Sequence, residues 1–183
     1  MDRFFLSKDN ALLLIVDIQE RLAAVMSERQ KVINNCLHHI EVAKLMRIPI
    51  LVTEQYPRGL GPTVKEITDP LPSFTPIEKI TFSCCGEPAF LTSLSSLNRK
   101  KVILTGMETH VCVLQTCLSL LSKGYTVHVV EDAVCSRSPG NFKTGIEFMR
   151  DAGAVITCTE TVLFQLLEKA GTEEFKAIAK RIK

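Results

Sequence analysis

Apolar positions along the chain follow two alternating rhythms. Short continuous runs recur at Ala11 to Val16, Pro49 to Thr53, Ile77 to Phe82, Lys101 to Thr105, Thr126 to Val130 and Ala154 to Thr157. They are rich in Val, Ile and Leu, the composition of strands buried on both faces. Between them the apolar spacing widens to three and four. From about Glu28 to Arg47 that spacing puts Val32, Ile33, Leu37, Ile40, Ala43 and Leu45 on one face of a long helix. Glu87 to Leu97 reads as a helix with Pro88 in its first turn. A helix from about His110 to Lys123, stopped by Gly124, carries Val111, Leu114, Leu118 and Leu121 as its stripe. Helices are also predicted over Asn141 to Asp151, Thr161 to Lys169 and Glu173 to Ile182. Strand and helix alternate from end to end, which predicts a parallel sheet covered by helices. No repeat, low-complexity tract or linker divides the chain, so residues 1–183 form one predicted domain. Only Glu54 to Pro76 breaks the rhythm, with five prolines (Pro57, Pro62, Pro70, Pro72, Pro76) and a single helical turn predicted over Val64 to Ile67. Loops of that length in compact domains usually carry function.

Ligand sites in open parallel sheets lie at the carboxyl ends of the strands. That rule gathers Asp17, Thr53 to Tyr56, the Gly106 to Cys112 turn and Glu131 to Arg137. Cys112 stands out among them. It follows a strand and opens a helix, where free N–H groups and the helix dipole favour thiolate over thiol. An inert core cysteine fits the same local context. A Cys nucleophile needs a proton acceptor. Asp17, closing an apolar run, is either that base or a helix N-cap. Lys79 sits in an apolar β pattern, and alternation alone leaves open whether it faces solvent or a polar cavity. His38, His39 and His128 read as structural. His110 is two residues before Cys112, a spacing that does not face it on a helix, which favours a capping or supporting role.

Composition narrows the function classes. Lys and Arg total 22 against 20 Asp and Glu, a net charge of +2 with no basic stretch, which argues against nucleic acid or an anionic membrane as partner. The basic C-terminal segment Lys176 to Lys183 reads as the solvated face of a last helix. No G-x-G-x-x-G or phosphate-binding loop is present, and no His, Cys or acid spacing suits a metal, so neither cofactor nor metal site is expected. The seven cysteines are odd in number and lack C-x-x-C spacing, which with the absence of a signal-like start predicts a reducing, cytoplasmic setting. Cys84 and Cys85 are chain neighbours and are read as free thiols.

Set side by side, Asp17, Lys79 and Cys112 resemble the Asp, Lys, Cys triad of the isochorismatase-like cysteine hydrolase superfamily. The matching segments are Leu12 to Leu22, Leu51 to Val64, Glu78 to Cys84, Val102 to Val113, Glu131 to Arg137 and Ala152 to Leu167. The second of these looks like the branch called isochorismatase domain-containing proteins. The resemblance implies a three-layer, doubly wound α/β fold: a six-stranded parallel sheet with helices on both faces. It implies that Asp17 takes the thiol proton, Lys79 stabilises the pair and Cys112 attacks an electrophilic carbon through a covalent thioester-type intermediate. A cis peptide between Met107 and Glu108, with an oxyanion hole from the backbone N–H groups of Glu108 and Cys112, is implied as well. So is a homo-oligomer. Gln19, Thr53, Glu54, Tyr56, Met107 and Thr109 follow strand ends and are candidate substrate contacts.

Two departures shape the expected chemistry. Metal-binding nicotinamidases of the superfamily carry histidines after the second strand, and here no His lies between His39 and His110. Where the family often has Ser-Ala-Phe, this chain has Ser83, Cys84 and Cys85. The expected activity is metal-independent hydrolysis of a small amide, imide or ester-like molecule. The alternative is a catalytically idle scaffold or small-molecule-binding protein of the same fold.

Overall fold

The computed structural model describes residues 1–71 and 73–182. In chain order the elements are β1 (Ala11–Val16), α1 (Glu20–Ala23), α2 (Arg29–Met46), β2 (Ile50–Gln55), α3 (Pro57–Leu60), α4 (Lys65–Thr68), β3 (Ile77–Lys79), α5 (Pro88–Ser96), β4 (Lys101–Met107), α6 (Leu114–Ser122), β5 (Thr126–Cys135), α7 (Pro139–Asp151), β6 (Val155–Thr157), α8 (Thr159–Leu167) and α9 (Glu173–Ala179). A π-helical turn, Thr109–Val113, leads into α6. The six strands form one sheet in the order β3-β2-β1-β4-β5-β6, and every pair is parallel.

Alternation along β1 explains the three layers. Leu13 and Ile15 point to one core, shared with Val32, Ile33 and Ile40 of α2, Val162 and Leu166 of α8 and Ile178 of α9. Leu12, Leu14 and Val16 point to the other, with Phe90 and Leu94 of α5, Val113 at the start of α6 and Leu120 within it, and Ile146 and Met149 of α7. All six β1 residues are buried, and each such aliphatic side chain contributes about 1.5–3 kcal/mol of transfer free energy. The doubly wound, six-stranded parallel sheet is therefore present as expected.

Several boundaries and stripes differ from expectation. The buried face of α2 is Val32, Ile33, Cys36, His39, Ile40, Val42 and Ala43, whereas Leu45 is exposed. The helix after β4 buries Val113, Thr116, Cys117 and Leu120. Its expected stripe, Val111, Leu114, Leu118 and Leu121, forms a half-buried flank. Small Thr116 and Cys117 are what allow the close face. β5 runs five residues past Val130, to Cys135, because its polar Glu131–Asp132 stretch lies at a register shift in the β4 pairing. β3 stops at Lys79 rather than Phe82 because the Thr81 and Phe82 carbonyls turn back to accept from its ammonium.

Candidate active site

Register brings the polar strand ends together. Val16 lies beside Thr53 on one side and Gly106 on the other, and Gln55 lies beside Lys79. Asp17 therefore emerges between β2 and β4. Its backbone has φ of 52°, a left-handed conformation that Asp tolerates better than most residues. The carboxylate is wholly buried. Oδ1 accepts from the Thr53 hydroxyl at 2.7 Å and Oδ2 from Lys79 Nζ at 2.7 Å. The capping alternative is not realised, since the residue before α1 is Gln19.

Lys79 lies on an edge strand yet points inward, only 2% exposed. Besides Asp17 its ammonium donates to Gln55 Oε1 at 2.8 Å and to the Phe82 and Thr81 carbonyls at 3.2 and 3.3 Å. Burial pulls its pKa down, but the Asp17 charge, helped by Cys84 and Cys112, more than offsets this, so the ammonium stays charged.

Cys112 completes the cluster from the third direction and is 5% exposed. The charges of Asp17 and Lys79 both act on its thiol. The low thiol pKa expected at a helix start is not what this environment produces. Burial pushes the thiol up first and the Asp17 carboxylate adds to it, while Lys79 opposes both. The resting state is thus a thiol beside a buried carboxylate, not a free thiolate. The Met107–Glu108 peptide is cis. In the turn that follows, the N–H groups of Val111 and Val113 both donate to the Glu108 carbonyl, at 3.1 and 3.2 Å. The Cys112 N–H between them does not join that pair.

Gly106 is obligatory where β4 meets β1. Its φ is +124°, and a Cβ there would run into the Val16 carbonyl. Only a residue without a side chain lets β4 approach β1 closely enough to set Asp17 and the Cys112 turn side by side.

The other candidate residues divide. Gln19 is buried and spent within the protein: its Nε2 donates to the Gln55 and Gly61 carbonyls, and its Oε1 accepts from the Gln55 N–H. Thr53 holds Asp17. Glu54 accepts from both the N–H and the hydroxyl of Thr63 at 2.7 Å, fastening the Pro-rich loop. Met107 packs into the layer opposite Cys112. Tyr56 is exposed, and the buried Thr109 hydroxyl has no partner among the described residues. Gln55 lies within the gathered Thr53 to Tyr56 strand end, but its role was not anticipated. Its amide links Lys79 to the Ile80 carbonyl, and the signal for it was the polar Thr-Glu-Gln ending of an otherwise apolar strand. His110 bonds Ser136 through Nδ1 at 2.9 Å and meets Asn141 at Nε2, a supporting role. Surface hollows of about 350 and 260 Å³ lie elsewhere, beside α2 and β2 and between the starts of α2 and α7. Asp17, Lys79 and Cys112 line neither of them.

Residues 11–161 match the model of the isochorismatase domain. This chain belongs to the isochorismatase family. A hydrolase role goes with that membership. The secreted isochorismatase effector Isc1 of Phytophthora sojae is 42% identical over 178 residues, covering 95% of this chain and 85% of the relative. The structure of the MAR1 ribonuclease of Caenorhabditis elegans superposes with a TM-score of 0.91 at 38% identity, over 97% of this chain and 92% of that one. The YcaC gene product of Escherichia coli, described as an octameric hydrolase of unknown specificity, superposes with a TM-score of 0.90 at 25% identity, over 97% and 90% of the two chains.

Proposed function

We propose that this protein is a metal-independent cysteine hydrolase of a small amide, imide or ester-like molecule. The observation that carries the reading is the buried Lys79–Asp17 ion pair at 2.7 Å, facing a cysteine thiol in an otherwise apolar layer. A buried ion pair is a poor source of stability, and this one sits where a base and its counter-charge would serve a thiol. Asp17 takes the Cys112 proton as Sγ bonds the substrate's carbonyl carbon. The N–H groups of Glu108 and Cys112 receive the developing oxyanion. The C–N or C–O bond breaks, the leaving group takes the proton back from Asp17, and water hydrolyses the thioester to restore the thiol. Lys79 bonds the Asp17 carboxylate and supplies its counter-charge, and Gln55 holds Lys79. Tyr56 and Thr109 are the residues best placed to touch substrate. Gln19, Thr53 and Glu54 support the site from behind it.

The seven cysteines are all unpaired thiols, which favours a cytoplasmic location; the Phytophthora relative's secretion is a property of that protein. No described helix is long and apolar enough to cross a membrane. A homo-oligomer is the favoured state. Tyr56, Ile80 and Phe82, which follow the ends of β2 and β3, are 51, 70 and 53% exposed, and the E. coli relative is an octamer. A panel of small amides, imides and activated esters tests the activity. Turnover by the wild type and none by a folded Cys112→Ala variant is the expected result. Full activity in that variant would overturn the cysteine mechanism, and no turnover by the wild type across the panel would leave the scaffold reading in its place.

A further inference from the structure

The turn that carries Cys112 begins with an acid. Glu108 is buried, and the proposed oxyanion donor and the carboxylate belong to this one residue. A negative charge held there opposes the second negative charge that develops when a carbonyl is attacked. The structure supplies a counter-charge. Arg137 donates its backbone N–H to Glu108 Oε2 at 2.9 Å and its Nε to both carboxylate oxygens at 3.1 and 3.2 Å. Arg137 reaches Glu108 from just beyond the end of β5, where Cys135 pairs with Met107.

Two further contacts clamp the same turn, and neither is an ion pair. His110 bonds Ser136 at 2.9 Å and Asn141 at 3.3 Å. Gly145 of α7 lies so close to the turn that a Cβ would meet His110 N and Cα at 3.1 Å. Shape is therefore held without Arg137. Burial pushes the Glu108 carboxyl up, but the Arg137 hydrogen bonds and charge, with a contribution from His110, bring it below the usual carboxylate range. Glu108 is an anion whenever the thiol chemistry runs.

We infer that Arg137 is a positioning residue of the nucleophile turn, neutralising the Glu108 carboxylate so that the Glu108 and Cys112 N–H groups meet the oxyanion unopposed. The inference rests on the thiol-hydrolase reading above. The Arg137 side chain is 63% exposed against 6% for Glu108, so water screens its bare charge. Its effect comes through the directed hydrogen bonds to the carboxylate.

The test uses 4-nitrophenyl acetate. Cys112 Sγ bonds the acetyl carbon, 4-nitrophenolate leaves, and the thiol proton passes to Asp17; mass spectrometry reads the acetylated Cys112 peptide. Iodoacetamide is the control, since displacement at its saturated carbon forms no oxyanion. Arg137→Ala is expected to slow acetylation on the order of tenfold while leaving iodoacetamide alkylation of Cys112 unmoved. Glu108→Gln placed in the Arg137→Ala background is expected to recover most of that loss, because it removes the uncompensated charge. Equal acetylation of Arg137→Ala and wild type overturns the inference. So does a double variant as slow as the single one, or a parallel loss of alkylation. A wild type not acetylated at Cys112, or a Cys112→Ala variant that releases 4-nitrophenolate equally fast, brings down the thiol-hydrolase reading itself.

Discussion

Two charges compete over the Cys112 thiol. Burial disfavours thiolate most, the Asp17 carboxylate adds to it, and the Lys79 ammonium opposes both. The competition makes the roles separable. In Asp17→Asn the negative neighbour is gone, so thiolate forms more readily and iodoacetamide alkylation of Cys112 at pH 8 should rise by about tenfold or more. Turnover should nevertheless be lost, because no base is left to carry the proton to the leaving group. Alkylation that slows in Asp17→Asn would mean that the carboxylate does not hold the thiol down. At this scale the sequence was informative about types and poor about partners. Cys112 is legible as a thiol at a strand-to-helix turn and Asp17 as a carboxylate closing an apolar run. Lys79 is ambiguous from alternation, because its inward direction depends on carbonyls of residues that come after it. The resemblance, not the periodicity, joined the three. The role of Gln55 escaped because its bonds to Lys79, Gln19 and Ile80 are made between segments distant in the chain.

Elements deliver those residues, and β4 does most of the positioning. It pairs with β1 along its length and with β5 on its other side, and it ends in the cis peptide ahead of the π-helical turn. Gly106→Ala should destabilise the protein by about 3 kcal/mol or more, since a Cβ brings both an unfavourable φ and a backbone collision. Urea unfolding reads the loss, and a midpoint within error of wild type would show that β4 can slide away from Val16. Element existence was readable from apolar runs, most plainly for the central strands β1 and β4, which are buried on both faces. Element ends were not. β3 ends early to serve Lys79, and β5 continues through polar Glu131 and Asp132. The one-turn helices α1 and α3 are too short to leave a period of their own. For α6 the stripe was displaced by one position because Thr116 and Cys117 bury where a count of large aliphatics looks past them.

At the scale of the whole molecule, the exposed Ile80 and Phe82 are the expected contact of the proposed homo-oligomer. Ile80→Glu should shift the assembly toward smaller species in light scattering after size exclusion, and an unchanged mass would place the contact elsewhere. Acid stability is a property of the entire fold, because the groups that control it are locked in its layers. His39 of α2 and His128 of β5 are buried, each with a ring nitrogen lacking a partner among the described residues. Burial lowers each pKa from 6.5 to about 4, against small opposing contributions from Asp132 for His39 and a backbone bond to Arg3 for His128. The unfolded chain binds these protons near pH 6.5 and the folded chain only near pH 4. Between those values the unfolded state holds more protons, so stability is complete above about pH 6.5 and drains away as the pH falls. Each histidine accounts for about 3 kcal/mol once the pH is below 4, a large share of the 5–15 kcal/mol typical of a domain. Denaturant midpoints measured from pH 8 to 4 should therefore hold level to about 6.5 and then decline. Replacing His128 with Leu should flatten part of that decline, whereas an equally steep fall in the variant would assign acid lability to the carboxylates instead.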